Sequence, residues 1–394
     1  MIGKEEVRRI KESLAHLSVP TLSLYLDVNP AKPENANRAY ALRAKDAMKA
    51  LEVPEALAER VLELLKHEVV QAKTLALFAD AKHLELYPLQ VELPLVSAVK
   101  TAFLDERESR LLTDGVLAHY GEPFLLPLVY ALDEYERYGV VYVDQERWRV
   151  FEIFMGEAQE VQDAFLALDT EAWRRLSLDA PGRRFNLAGI SRGGAGQDLF
   201  AKRLAAWEER FYKTLAHELE RLWETRGFTR VILMGPEEHT KLFQGYLPMR
   251  LKERVVALLP SLPHPGVTPG EVLKRLEPVL EEVERQEEVK LLKELEEAYP
   301  KAAFGPEVLS RVQEGRVELW VLPWHLDQGV YACQEFYFAE EAQALAACER
   351  PESKPLAIVL PELAEGYATK LEFVRGEAER RLLERGGMAA LLRW

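Results

Sequence analysis

The stretch Arg192-Gly193-Gly194-Ala195-Gly196-Gln197 leads into residues whose apolar members recur three or four apart: Leu204, Trp207, Phe211, Leu215, Leu219 and Leu222. That spacing predicts an amphipathic helix over Leu199–Arg226, stopped by Gly227, the residue type that tolerates a left-handed helix end. Beyond it, Thr229–Met234 reads as a buried strand closed by Gly235-Pro236. Before it, Tyr138–Asp144 and Trp148–Met155 read as a strand, a short turn and a second strand. The glycine-rich stretch therefore belongs to a unit in which strands alternate with helices, the pattern of an α/β domain with a mixed sheet.

Working outward, the N-terminal part has a different grammar. Val7, Ile10, Leu14 and Leu17 predict a first helix, and Leu22–Val28 alternates as a strand. Two helices (Ala36–Leu51 and Pro54–His67) and two short strands (Thr74–Phe78 and Leu84–Leu89) follow. This is an α+β unit. On the C-terminal side, the proline and glycine cluster Pro260–Gly270 precedes a charged helix, Glu271–Tyr299, whose ten acidic and five basic residues read as a solvated surface. Strands are expected at Val317–Leu322 and Pro355–Val359, with a terminal one within Gly386–Trp394. The expected organisation is thus three domains, 1–134, 135–267 and 268–394, of α+β and α/β type. The central one has a mixed sheet and a long helix after a glycine-rich loop.

Composition narrows the function. Of 394 residues, 48% are hydrophobic and 29% charged, ordinary for a globular chain and unlike a disordered or collagenous one. The longest apolar run, Phe124–Leu132, is about half of what a membrane helix needs, so no membrane partner is expected. The opening Met1-Ile2-Gly3-Lys4-Glu5 is charged where an export signal would be apolar, and a cytoplasmic location is the expectation. Two cysteines, Cys333 and Cys348, are too few for a four-ligand zinc site and are expected to be reduced, small core residues. The eight histidines are scattered without ligand spacing, so neither a metal nor another cofactor is expected.

Net charge is −14, too acidic for a chain that binds nucleic acid over its whole surface. From Trp173 to Lys213, however, nine basic residues face four acidic ones. Arg183, Arg184, Arg192, Lys202 and Arg203 are the candidate RNA-phosphate contacts in that segment, because guanidinium and ammonium groups bind phosphate oxygens. Three readings of the glycines compete. A nucleotide loop lacks the Walker lysine and the glycine spacing of a dinucleotide fold. An exposed surface loop with no special role fits the composition equally well. A loop that threads into an RNA-lined cavity uses both the glycines and the arginines, since glycine lets backbone approach a ligand closely.

The third reading gains from a resemblance. Gly193-Gly194-Ala195-Gly196-Gln197, followed by Glu208-Glu209-Arg210-Phe211-Tyr212-Lys213, resembles the middle domain of archaeo-eukaryotic class-one peptide-chain release factors. Those proteins carry Arg-Gly-Gly-Gln before a long helix with a Glu-x-Arg step. Tyr138–Asp144 with Phe151 and Gly156 resembles the strand pair that opens that domain, Arg230–Gly235 its next strand, and Leu251–Val255 its closing segment. Phe304-Gly305, Gly315–Trp320 and Gly386–Trp394 are similar to the family's third domain, and Leu22–Leu26 to the opening strand of its first. The order of these segments points to a bacterial branch of the release factor and Pelota family.

The resemblance implies a ribosomal A-site-binding translation factor that hydrolyses peptidyl-tRNA to rescue stalled ribosomes. Gln197, Gly196, Gly194 and Gly193 would be its catalytic loop. The ribosome (rRNA and P-site tRNA) would be its partner, and the third domain would dock a translational GTPase such as elongation factor Tu. Here the loop is two residues longer than Gly-Gly-Gln, by Ala195-Gly196. That leaves open a non-catalytic hibernation factor that fills the same site. An RNA-binding or nuclease-like protein off the ribosome is the third class. The family's stop-codon motifs, Asn-Ile-Lys-Ser and Tyr-x-Cys-x-x-x-Phe, have no counterpart at Asn35–Arg38 or Phe78–Asp80, so codon reading is not expected.

Overall fold

The computed structural model describes residues 4–67, 71–93, 115–144, 148–161, 195–262, 266–298 and 300–394, with 195–208 described as backbone. Its fold is mixed α/β and α+β. Packing divides these residues into two compact units: residues 1–135 together with 284–394, and residues 136–283.

The N-terminal part begins with α1 (Lys4–Leu14), β1 (Thr21–Asp27), a 3-10 turn (Pro33–Arg38), α2 (Ala39–Ala50) and α3 (Glu55–His67). β2 (Thr74–Ala79), β3 (Leu84–Leu89), β4 (Val116–Gly121) and α4 (Leu126–Glu134) complete it. The antiparallel sheet has the order β3-β2-β1-β4. Period two decides its faces: Leu22, Leu24 and Leu26 of β1 turn to the core made with Ala44, Met48, Val61 and Leu65 of α2 and α3. On the other face the Tyr25 hydroxyl donates to the Phe124 carbonyl (2.5 Å), and the Phe124 N–H donates to Ser23 Oγ (2.9 Å).

The central unit holds β5 (Tyr138–Val143), β6 (Trp148–Phe154), β7 (Glu157–Glu160), α5 (Ala195–Arg226), β8 (Arg230–Met234), α6 (Glu237–Tyr246), the single turn α7 (Met249–Lys252) and β9 (Val255–Leu259). Its sheet runs β7-β6-β5-β8-β9. β5, β8 and β9 are parallel, and β6 and β7 antiparallel, so the sheet is mixed. Tyr212, Leu215, Leu219 and Leu222 of α5 cover one face over Val141, Val143, Val231 and Leu233. The first half of α8 (Pro269–Glu297) covers the other, with Val272 and Leu276 against Val140, Ile232 and Met234.

The second half of α8 belongs to the other unit, where Leu292 and Leu295 pack on Val321 and Leu382. There follow β10 (Ala302–Phe304), α9 (Glu307–Gln313), β11 (Val317–Pro323), β12 (Gly329–Cys333), β13 (Phe336–Phe338), α10 (Glu341–Ala347), β14 (Glu352–Pro355), α11 (Leu356–Gly366), β15 (Lys370–Val374), α12 (Gly376–Glu384) and β16 (Ala389–Leu392). They form a four-stranded sheet, β10-β16-β11-β15, and a three-stranded one, β13-β12-β14. This part packs on the N-terminal part of the same unit. Asp133 of α4 accepts the Phe373 N–H (2.6 Å), and Arg375 reaches Glu134 (3.2 Å).

Four sequence expectations are corrected here. The stretch from Pro355 to Val359 is not one strand: Pro355 ends β14, and from Leu356 the chain is helical, with Leu356, Val359, Leu360, Leu363 and Ala364 burying one face of α11. Helix α8 is not wholly solvated, because Glu284 and Glu288 are buried. Cys333 and Cys348 are not separate reduced thiols but a disulfide, their Cα atoms 6.1 Å apart. It joins β12 to the residue after α10. Helix α5 starts at Ala195 rather than Leu199.

Candidate functional site

The site is organised by α5. At 1.5 Å per residue its 32 residues span about 48 Å. Its C-terminal half is fixed to the sheet at several points. Tyr212 is 2% exposed, lies flat against Tyr246, and its hydroxyl meets His239 Nδ1 at 2.7 Å. Trp148, Phe243 and Tyr212 form a continuous aromatic layer. At the far end, Arg226 pairs with the buried Glu152 of β6 (3.6 Å), which Arg137 also contacts. On the solvent side, Glu209 pairs with Lys213 one turn on (2.7 Å), and that hydrogen bond holds the Glu209 carboxyl below its ordinary range. This is the i,i+4 support expected of an exposed helix.

The N-terminal end carries the candidate catalytic residues. Gly196 and Gln197 lie in the first turn of α5, with Gln197 about 22 Å along the axis from Tyr212. A helix start leaves its first four N–H groups without intrahelical acceptors. Gly196 and Gln197 contribute two of those N–H groups. Lys202 and Arg203 lie on the same helix, one to two turns further on. Gly193, Gly194, Arg183, Arg184 and Arg192 lie outside the described residues. Thus the structure joins the Gly-Gln pair and the Lys-Arg pair on one helix.

The carboxyl ends of β5 and β8 lie beside each other in register. Gly235 has φ +148°, and a Cβ there would fall 2.1 Å from the Val143 carbonyl oxygen. Glycine is therefore obligatory where the chain turns from β8 into α6. Asp144, just past β5, accepts a hydrogen bond from the Tyr142 hydroxyl (2.8 Å). Sequence reasoning missed the Tyr212–His239 pair. The signal was the third position of α6, His239, on the buried face with Thr240 and Phe243.

Among the described residues, no group of three His, Cys, Asp or Glu side chains could hold a metal ion. No helix among them is long and apolar enough to cross a membrane.

Residues 123–281 match the family described as bacterial archaeo-eukaryotic release factor family 10. The match covers α4, the whole strand and helix set of the central unit and the first half of α8. Comparison with curated proteins finds no match. Among solved structures, the chain is similar to an archaeal translation termination factor, aRF1, at 15% identity, covering all of this chain and 99% of that one, with a TM-score of 0.25. It is similar to Dom34 of S. cerevisiae, described as a translation termination-like factor, at 13% identity over 82% of this chain and 86% of that one, with a TM-score of 0.37. A ribosome-bound archaeal Pelota is 14% identical over 99% of this chain and 94% of that one, with a TM-score of 0.39. At TM-scores below 0.5 these likenesses do not bear on function.

Proposed function

We propose that this release-factor-like chain occupies the ribosomal A site and hydrolyses peptidyl-tRNA in the rescue of stalled ribosomes, with the start of α5 at the ester. The observation that carries the reading is the coincidence of two things. The segment that matches the release-factor family contains a Gly-Gln pair, and that pair forms the first turn of the long helix.

The chemistry needs a water held against the ester carbonyl and donors for the oxyanion that forms. The Gln197 side chain both donates and accepts, so it can orient the water. The unsatisfied N–H groups of the first turn are donors of the kind an oxyanion needs. Water adds to the carbonyl carbon and the ester C–O bond breaks. The peptide leaves as a carboxylic acid, and the tRNA regains its terminal hydroxyl. Lys202 and Arg203, together with Arg183, Arg184 and Arg192, supply positive charge for rRNA and P-site tRNA phosphates. Under this reading the C-terminal segment docks a translational GTPase such as elongation factor Tu.

A second reading is favoured by one specific feature, the two residues Ala195-Gly196, which stand between Gly193-Gly194 and Gln197 and begin α5. It is a hibernation factor that fills the same place and breaks no bond. Purified ribosomes carrying labelled peptidyl-tRNA in the P site, mixed with the full chain, separate the two. Under the first reading peptide is released, and Gln197→Ala slows release without loss of binding. Under the second, saturating wild-type protein releases nothing. Failure of the chain to bind ribosomes at all refutes both.

A further inference from the structure

We propose that the groove between α9 and the β13 strand is a docking site for an arginine-bearing basic segment of a partner protein. The groove, of about 540 Å³, has an aromatic wall from Phe304, Phe336, Tyr337 and Phe338 and carries the carboxylates Glu307 and Glu340. Its shape is set in advance. Gln313 of α9 donates to the Tyr337 carbonyl (2.6 Å) and accepts the Tyr337 N–H (2.8 Å), tying strand to helix. The Cys333–Cys348 disulfide joins the end of β12 to the residue after α10.

Charge identifies the occupant. From Gly329 to Glu349 the lobe carries four glutamates and no lysine, arginine or histidine. Glu314 at the groove is already matched by Arg311 and Arg316. Among the described residues, Glu307 and Glu340 meet no such cation. Phe336 is 54% exposed although it stands at the start of a strand, and Leu345 on the adjoining helix is 52% exposed. Aromatic faces and unmatched carboxylates together suit a guanidinium, which stacks on rings and pairs with carboxylates at once. The exposed apolar groups supply contact area for the residues around it. Nucleic acid is disfavoured by the same carboxylates, which repel phosphate. A second copy of this chain is disfavoured by its own net charge of −14. The groove lies in the C-terminal segment but is argued from its own residues, and its occupancy is measured on the protein alone, so its failure is distinguishable from failure of the ribosomal reading.

The test uses the full chain and a fluorescein-labelled nonapeptide, Lys-Leu-Arg-Leu-Lys-Leu-Arg-Leu-Lys, followed by fluorescence anisotropy. Controls are the same peptide with glutamate at every basic position and a 12-nucleotide oligouridine. Glu307→Gln combined with Glu340→Gln is expected to weaken peptide binding at least tenfold, and Phe336→Ala at least fivefold. Glu59→Gln with Glu63→Gln, which removes the same charge from the exposed side of α3, is expected to change binding by less than twofold. All these positions are exposed, and circular dichroism melting verifies the fold of each variant. Four results overturn the proposal. These are no binding of the basic peptide, equal weakening by the groove and remote variants, oligouridine binding as tight as the peptide, or a dimer in sedimentation that Phe336→Ala dissolves.

Discussion

Replacing Glu288 with glutamine is expected to make the protein more stable at neutral and alkaline pH. Glu288 lies on the second half of α8 and is fully buried. Its carboxylate faces Arg285 (2.9 Å) on its own helix and accepts the Arg375 N–H (3.0 Å), while Glu134 of α4 and Glu372 of β15 bring like charge close. Burial is the largest influence and pushes its pKa from 4.5 up to about 8; Arg285 and the Arg375 N–H oppose this without cancelling it. In the unfolded chain the group ionises near 4.5, so between pH 4.5 and 8 the folded state binds the extra proton. Stability is then fully present below 4.5 and falls as pH rises towards 8, by about 1.4 kcal/mol per unit. At pH 7 that amounts to roughly 3 kcal/mol as an order of magnitude. Glutamine keeps an oxygen for the Arg375 N–H, and Arg285 retains Glu134 (2.5 Å). Urea melts followed by tryptophan fluorescence at pH 5, 6, 7 and 8 read the difference between variant and wild type, which removes the contribution of the other carboxylates. The variant is expected to lie within about 1 kcal/mol of wild type near pH 5 and to exceed it by roughly 4 kcal/mol at pH 8. A difference that stays constant with pH, or a variant less stable than wild type at pH 8, refutes the reasoning.

The acid side has the opposite sign. The Asp80 carboxylate, 2% exposed, accepts the N–H groups of Ser18 (2.7 Å), Lys82 (2.7 Å) and His83 (2.6 Å). Although burial alone would raise it, these N–H groups hold it well below the usual range. Its stabilisation is present above pH 4 and lost as pH falls, so Asp80→Asn is expected to flatten the acid limb of a melting-temperature profile. Gly235→Ala is expected to lose roughly 3 kcal/mol or more, because a Cβ collides with the Val143 carbonyl at a positive φ; denaturant unfolding reads it, and a loss under 1 kcal/mol would contradict the geometry. In a ribosomal release assay, Gln197→Ala is expected to lower the release rate with ribosome affinity nearly unchanged, since its contact is made chiefly in the transition state. Release that survives intact would remove Gln197 from the chemistry. Replacing Arg183, Arg184 and Arg192 by alanine is expected to reduce the salt slope of ribosome binding by about two to three units, and an unchanged slope would place the anchor elsewhere.

What the sequence disclosed follows from the range over which each feature acts. The core face of α5 was legible because Phe211, Leu215, Leu219 and Leu222 repeat within a few turns, and the strands Tyr138–Val143 and Arg230–Met234 because they are short buried runs. The start of α5 was not, since glycines at 193, 194 and 196 read as loop whereas Gly196 is helical. Leu356-Ala357-Ile358-Val359-Leu360 misled because a buried run of this length has no period that separates strand from helix. The burial of Glu288 depends on Glu134 and Arg375, 154 residues before it and 87 after it, and no local pattern carries that. The same holds for His239, whose partner Tyr212 lies 27 positions earlier.

The division of the chain has a consequence for the order in which it is made. Residues 136–283 are contiguous and can complete their core as soon as they leave the ribosome. In residues 1–135 the sheet can likewise pack on α2 and α3, but Tyr130, Asp133 and Glu134 of α4 find their neighbours Phe373 and Arg375 only in the last segment. At about 5–20 residues per second, synthesis of the intervening stretch takes roughly 10–50 s. For that interval α4 stands without its contacts to Phe373 and Arg375. An element made early, α4, is thus among the last to find all its neighbours.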